Sequence, residues 1–218
     1  MNSPIIQLLV LAGIAVFLIL RLKNVLGTRD GFESPREVKS SARKGPALEV
    51  ITGGPDPDIA DHVADPESDM GVALSKMKAV EPSFGVSDFL QGAKGAYEMI
   101  LMSFEKGDLT PVKSFLSEDV QDAFQQVIDA REEQGLTVEA EFIGVRETTL
   151  QDATFDAATR EGEVTVRFAG ELSYVVRNAE GQIVEGSDTQ IKRQKDVWTF
   201  ARVMGSDDPN WQLVATGE

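Results

Sequence analysis

The 218-residue chain has no cysteine, one histidine, two tyrosines and two tryptophans. Without cysteine there is no disulfide framework and no thiolate nucleophile or metal ligand. The single histidine, His62, sits among prolines and acids and reads as a linker residue rather than a catalytic one. Basic residues are also scarce: Lys and Arg number 21 against 36 Asp and Glu, for a formal charge of −15. Residues 1–30 hold Arg21, Lys23, Arg29 and Asp30 and carry +2, so the remainder carries −17. A domain this acidic offers no basic face to phosphates, which excludes nucleic acid as a partner.

Polar residues are nearly absent from one stretch. Ile5 to Leu20 is apolar apart from Gln7, and Leu22 extends it past Arg21. The run spans a bilayer if Arg21 and Lys23 snorkel to the interface. No side-chain positive charge precedes it, and cations follow it. That is the order of an uncleaved signal anchor over 1–22, with the bulk of the protein on the cytoplasmic side of an inner membrane. Residues 23–69 then read as a disordered juxtamembrane tether, with Pro35, Pro46, Pro55, Pro57 and Pro66 and too little apolar surface to fold. Its basic half suits anionic headgroups at roughly 1 kcal/mol per charge, or is a plain solvated linker. Asp56, Asp58 and Asp61 do not make a calcium loop, because Ala60 takes the third ligand position. A short amphipathic helix over 70–82 carries Met70, Leu74, Met77 and Val80 on one stripe, along with Ala73. It is too short to stand alone. It either docks on the following domain or offers a membrane-surface or partner stripe.

The folded domain, 83–218, is organised around Glu163–Arg177. Its even positions are Val164, Val166, Phe168, Gly170, Leu172, Tyr174 and Val176, while most odd ones are polar. This period of two predicts a long, half-buried strand. Gly170 on its apolar face marks either a bend or the close approach of another group. Before it, Ser87 or Asp88 caps a helix whose apolar face holds Phe89, Ala93, Tyr97, Ile100, Leu101 and Phe104, ended by Gly107. Gly92 and Gly95 each cost about 1 kcal/mol in that helix and imply close packing, most simply against the sheet. Thr110-Pro111 opens a short second helix, and Ser117 caps a third that Gly135 stops. Strands follow at Val138–Thr149, Glu163–Arg177 and Thr189–Val203, the last extended by Ile183 and Val184 before a bulge at Gly186. Pro209-Asn210 leads into a final strand at Trp211–Ala215. Three helices on a curved antiparallel sheet of about four strands make an α+β domain shaped as a cone with an apolar mouth. Phe89, Tyr97, Phe104, Phe168, Tyr174, Trp198, Phe200 and Arg202 are the candidates for lining that lipid pocket, each also a candidate for plain core packing.

Acid–base catalysis in such a pocket needs a poised carboxylate, histidine or tyrosine. The domain lacks histidine, and Glu98, Glu105, Glu141 and Glu171 read as surface residues, so a non-enzyme without cofactor or metal is expected. A hydrophobic-ligand or lipid-binding protein with no adaptor role, and more remotely a cone-fold isomerase or dehydratase, are the other readings.

Val197-Trp-Thr-Phe-Ala-Arg202, followed by Ser206-Asp-Asp-Pro-Asn-Trp-Gln-Leu-Val-Ala-Thr216, resembles the closing signature of a mitochondrial import-motor adaptor family. That family is named for the forty-four-kilodalton subunit of the translocase of the inner membrane. Phe89-Leu90-Gln91-Gly92-Ala93, Gly107-Asp108 and Arg131-Glu132 also fit. Leu26 to Glu33 is similar to the alpha-proteobacterial, membrane-anchored members of the TimA type. The resemblance implies a nuclear-transport-factor-two-like cone that binds membrane lipid and tethers other inner-membrane proteins. It also implies possible partnership with a chaperone of the seventy-kilodalton heat-shock class, although this chain lacks the long chaperone-binding region of the mitochondrial relatives. The implied protein is a single-pass inner-membrane scaffold with its N-terminus outside and its domain in the cytoplasm.

Overall fold

The computed structural model describes residues 56–217. The expected anchor, and the expected tether up to residue 55, lie outside them. Among the described residues no helix is long and apolar enough to cross a membrane.

Four helices lead into the sheet: α1 (Pro57–His62), α2 (Asp69–Val80), α3 (Val86–Lys106) and, after a 3-10 turn at Thr110–Phe115, α4 (Glu118–Glu133). The sheet is β1 (Thr137–Phe155), β2 (Glu161–Arg177), β3 (Ile183–Val203) and β4 (Gln212–Gly217), antiparallel throughout in the order β1-β2-β3-β4. The α+β, four-stranded architecture is the expected one. β1 runs six residues past its expected end. It shifts register against β2 at three places between Phe142 and Asp152, and such bulges bend a strand and raise its twist.

The folded unit starts earlier than the sequence suggests. The expected tether ran to residue 69, yet α1 is ordered and buries Ile59 and Val63 in the core. The cause is a long-range cap. The Asp58 carboxylate accepts from the backbone N–H of Val86 at 2.5 Å and of Ser87 at 3.0 Å, and from the Ser87 hydroxyl. Three donors at the first turn of α3 are thus satisfied from 28 residues away. Ser87 and Asp88 are therefore inside α3, not its cap, and Gly85 holds the N-cap position without a side chain to offer. His62 is bonded to the same Ser87 hydroxyl at 3.0 Å.

α2 docks on the domain. Ala73, Leu74 and Met77 are buried, Met70 is half-buried and Val80 is left exposed. Leu74 and Met77 of the candidate membrane or partner stripe therefore belong to the core. α2 and α3 both pack chiefly against β1. At Gly170 the close-approach reading holds. A Cβ there would sit 2.6 Å from the Tyr97 hydroxyl. β2 keeps its register with β3 through the glycine, while β1 bulges between the partners of Gly170 and Ala169, so a bend accompanies the close approach. Gly92 and Gly95 differ from expectation. They face away from the sheet, and a Cβ on either would meet nothing within 4 Å.

Candidate functional site

The eight aromatic and basic candidates separate into three places because strand alternation fixes a side chain's face but not its depth. Tyr97, Phe168 and Trp198 are at the centre of the core. Tyr97 stacks on Phe168 at 4.5 Å and meets Trp198 at 4.7 Å. All three are sealed from solvent and line no opening. The Tyr97 hydroxyl donates to Asp196 at 2.5 Å and accepts from Gln194 at 3.2 Å. Burial, reinforced by the Asp196 carboxylate, pushes the phenol well above the usual tyrosine range.

Phe104 and Tyr174 lie at the other end of α3. Phe104 packs on Phe124, with the Arg131 guanidinium 4.5 Å from its ring centre. Tyr174 donates to Glu185, and Lys192 stands over its ring. Burial raises the Glu105 carboxyl, although Arg131 approaches it at 3.4 Å. Glu105 is thus not the surface residue expected. Neither is Glu171, only 5% exposed, because Arg146 at 2.6 Å and Arg193 at 2.8 Å close over it from both neighbouring strands.

Phe89, Phe200 and Arg202 do meet at an opening. It is a groove of about 320 Å³ between the start of α3 and the β3–β4 connection. Its remaining apolar walls are Phe84, Ala93, Ala96, Phe115 and Trp211, and Glu81, Asp88 and Asn210 stand among its polar lining. The sheet side is set by alternation on β3, which puts Trp198, Phe200 and Arg202 on one face. β4 pairs with that strand from Val197 to Ala201 and brings Trp211 to the rim. Trp211 packs edge-on against Phe89 at 4.7 Å and against Phe84 at 5.9 Å.

Arg202 closes one end of the groove. Its side chain is 8% exposed, and Nη2 lies 2.5 Å from the Glu81 carboxylate. Nη1 donates to the Pro209 carbonyl at 3.2 Å, and the guanidinium carbon is 5.2 Å from the Trp211 ring centre. Glu81 also accepts the Gly205 N–H at 2.9 Å, and the hydrogen bond from Arg202 holds its carboxyl below the usual carboxylate range. Of the two roles open to Arg202, lining the pocket or packing structurally, these contacts describe the structural one. Its charge is already neutralised, and its contacts tie the end of α2 to the β3–β4 connection. With Glu81 and Arg202 paired to each other, the inner walls that remain are aromatic and aliphatic, which suits an apolar group.

The sequence reading missed Phe84, Phe115 and Glu81 as groove residues. The helical stripe signals them only weakly, since all three lie outside the regular part of an α-helix or strand. Trp211 was legible as the start of the last strand but not as a wall. Among the described residues no group of three or more His, Asp or Glu side chains is placed to hold a metal ion.

A family model described as Tim44-like domain matches residues 70–218. No curated protein matches the chain significantly. Among solved structures, the intermembrane space region of the chloroplast protein ARC6 is similar at 11% identity. The match covers 58% of this chain and 93% of that one, with a TM-score of 0.38.

Proposed function

The chain belongs to the Tim44-like domain family, and from that premise we propose that it is a non-enzymatic, membrane-associated adaptor in protein translocation or assembly. The observation that carries the reading is the open aromatic groove at Phe89, Phe200 and Trp211. Open apolar surface on an otherwise acidic domain serves recognition. In this reading the groove takes an apolar group, such as the acyl portion of a membrane lipid, while other inner-membrane proteins are held to the same domain. The titratable groups of the groove support binding rather than proton transfer, because Glu81 and Arg202 are spent on each other. The apolar run at Ile5–Leu20 and the cations behind it would anchor the protein once through the inner membrane, N-terminus outside and domain in the cytoplasm. The chaperone of the seventy-kilodalton class is the partner that the mitochondrial relatives suggest.

The test is crosslinking in native membranes followed by affinity isolation of the full chain, with extraction of co-purifying lipid. Translocation components and acyl lipid should both be enriched, and both should fall when Asn210→Trp crowds the groove. Retention of lipid without any protein partner would favour the plain lipid-binding reading. Enrichment of neither would remove the adaptor reading altogether.

A further inference from the structure

Two glycines on the outer side of α3 make no contact that needs them. Gly92 and Gly95 lie in the interior of a 21-residue helix, where glycine is the most costly residue short of proline. Both are exposed, and an added Cβ would meet open space. They belong to a longer pattern. Asp88, Gly92, Gly95, Met99, Met102 and Lys106 follow each other at intervals of four, three, four, three and four. That is the spacing of the contact seam between two paired helices. Met99 is 37% exposed, Asp88 and Lys106 are exposed, and Met102 is half-buried. The seam runs ~27 Å along the helix at 1.5 Å per residue.

The order of residues along this seam is self-complementary when reversed. Against an antiparallel copy, Gly95 faces Met99, Gly92 faces Met102 and Asp88 faces Lys106. Each methionine meets a glycine, so a flexible thioether knob enters a hole left by a missing side chain. Each end meets an opposite charge. A parallel copy would instead set Asp88 on Asp88 and glycine on glycine, leaving like charges together and the holes unfilled.

We propose that the outer face of α3 is a pairing surface for a second copy of this chain, antiparallel, with Met99 and Met102 of each copy seated on Gly95 and Gly92 of the other. A symmetric pair of this kind is isologous, with the same patch used twice and nothing left to propagate. One helix pair buries an area at the small end of specific interfaces, so the association is reversible. Asp88 and Gly92 also line the groove, so the pairing surface borders it along that edge, while Gly95, Met99, Met102 and Lys106 lie outside it.

The chain has no cysteine, so introduced thiols report without background. Full-length copies carrying Gly92→Cys and Met102→Cys, on different tags, are co-expressed and oxidised in native membranes. They should form a disulfide-linked pair, whereas Met102→Cys copies alone should not. In the antiparallel register two Met102 positions are ~15 Å apart along the axis, beyond disulfide reach. Efficient self-crosslinking of Met102→Cys, or no crosslink in the mixture, overturns the proposal. A second arm guards against misfolding. Gly95→Leu should abolish pairing without lowering Tm, since leucine favours the helix. Asp88→Lys should weaken pairing, and Asp88→Lys with Lys106→Asp should restore it. Pairing that survives Gly95→Leu, or charge reversal that has no effect, also overturns it.

Discussion

Arg202 and Glu81 are 121 positions apart in sequence and meet at 2.5 Å. The contact joins the C-cap residue of α2 to the end of β3, and the guanidinium lies over the Trp211 ring. Removing the guanidinium leaves the carboxylate with the Gly205 N–H and a long contact to the Ser83 hydroxyl, and opens the end of the groove. Breaking a buried ion pair by deleting one partner costs about 3–5 kcal/mol. Glu81 keeps some solvent, so Arg202→Ala should cost roughly 2–3 kcal/mol on that scale. Lysine cannot reproduce the planar fork, so Arg202→Lys should recover less than half of this. Denaturant melts of the three proteins check both statements.

The same contact has a pH signature. Glu81 is held below its ordinary value of 4.5. Its contribution is therefore present at neutral pH and is lost as pH falls through the lowered folded value. The difference between the native chain and Arg202→Ala should shrink below that point. Glu105 behaves oppositely, because its carboxyl is raised by burial. In the interval above 4.5 the folded state holds the proton more tightly than the unfolded one, so stability falls as pH rises through the raised value. Glu105→Gln should thus raise Tm at pH 7 and have little effect at pH 4. A Tm that drops at pH 7 and not at pH 4 would show that the Arg131 contact outweighs the burial.

The two tryptophans should separate by depth. Trp198 is nearly sealed against Tyr97 and Phe168, whereas Trp211 is half-buried at the groove rim. Trp198→Ala should cost about 3–5 kcal/mol, as large core truncations do, and Trp211→Ala about 2 kcal/mol. Equilibrium unfolding of the two variants gives the comparison directly.

Gly170 should tolerate no side chain while Tyr97 is present. A methyl there meets the phenol oxygen at 2.6 Å and ring carbons at 3.1–3.2 Å. Gly170→Ala should cost roughly 1–3 kcal/mol by overpacking. Adding Tyr97→Phe should relieve only part of it, since the ring carbons remain. A double-mutant cycle by chemical denaturation measures the coupling.

The start of the folded unit is testable by truncation. A chain beginning at Ser68 lacks Asp58, Ile59 and Val63, and so loses both the cap on α3 and two core side chains. It should melt well below a chain beginning at Asp56. Asp58→Ala alone should cost about 1–2 kcal/mol, the scale of a lost cap.

These cases show how far the sequence could be read. β2 was legible because its even positions, Gly170 apart, are apolar over fifteen residues, and α4 because Ser117 caps it and Gly135 ends it in the left-handed region at φ 62°. α1 was not, because Pro55, Pro57 and Pro66 and the surrounding acids look like linker. Its reason to fold is a carboxylate bond to Val86, 28 residues on. Phe89, Phe200 and Arg202 reach one opening because helix and strand periodicities fix their faces. Tyr97, Phe168 and Trp198 share those faces but sit deeper, and no local pattern records depth. Glu171 looked exposed on the polar side of β2. The arginines that cover it come from β1 and β3, and their registers are set by bulges that the alternation hides.

The most direct measurement of the adaptor account is site-specific photocrosslinking of the full chain in native membranes. A photoreactive phenylalanine analogue would replace Phe115 in the groove wall, and Thr149 in β1 as a control outside the groove. The account predicts that the Phe115 position labels membrane lipid or a component of the translocation machinery, identified by mass spectrometry, and that the Thr149 position labels neither. Equal labelling from both positions, or none from Phe115, would contradict it.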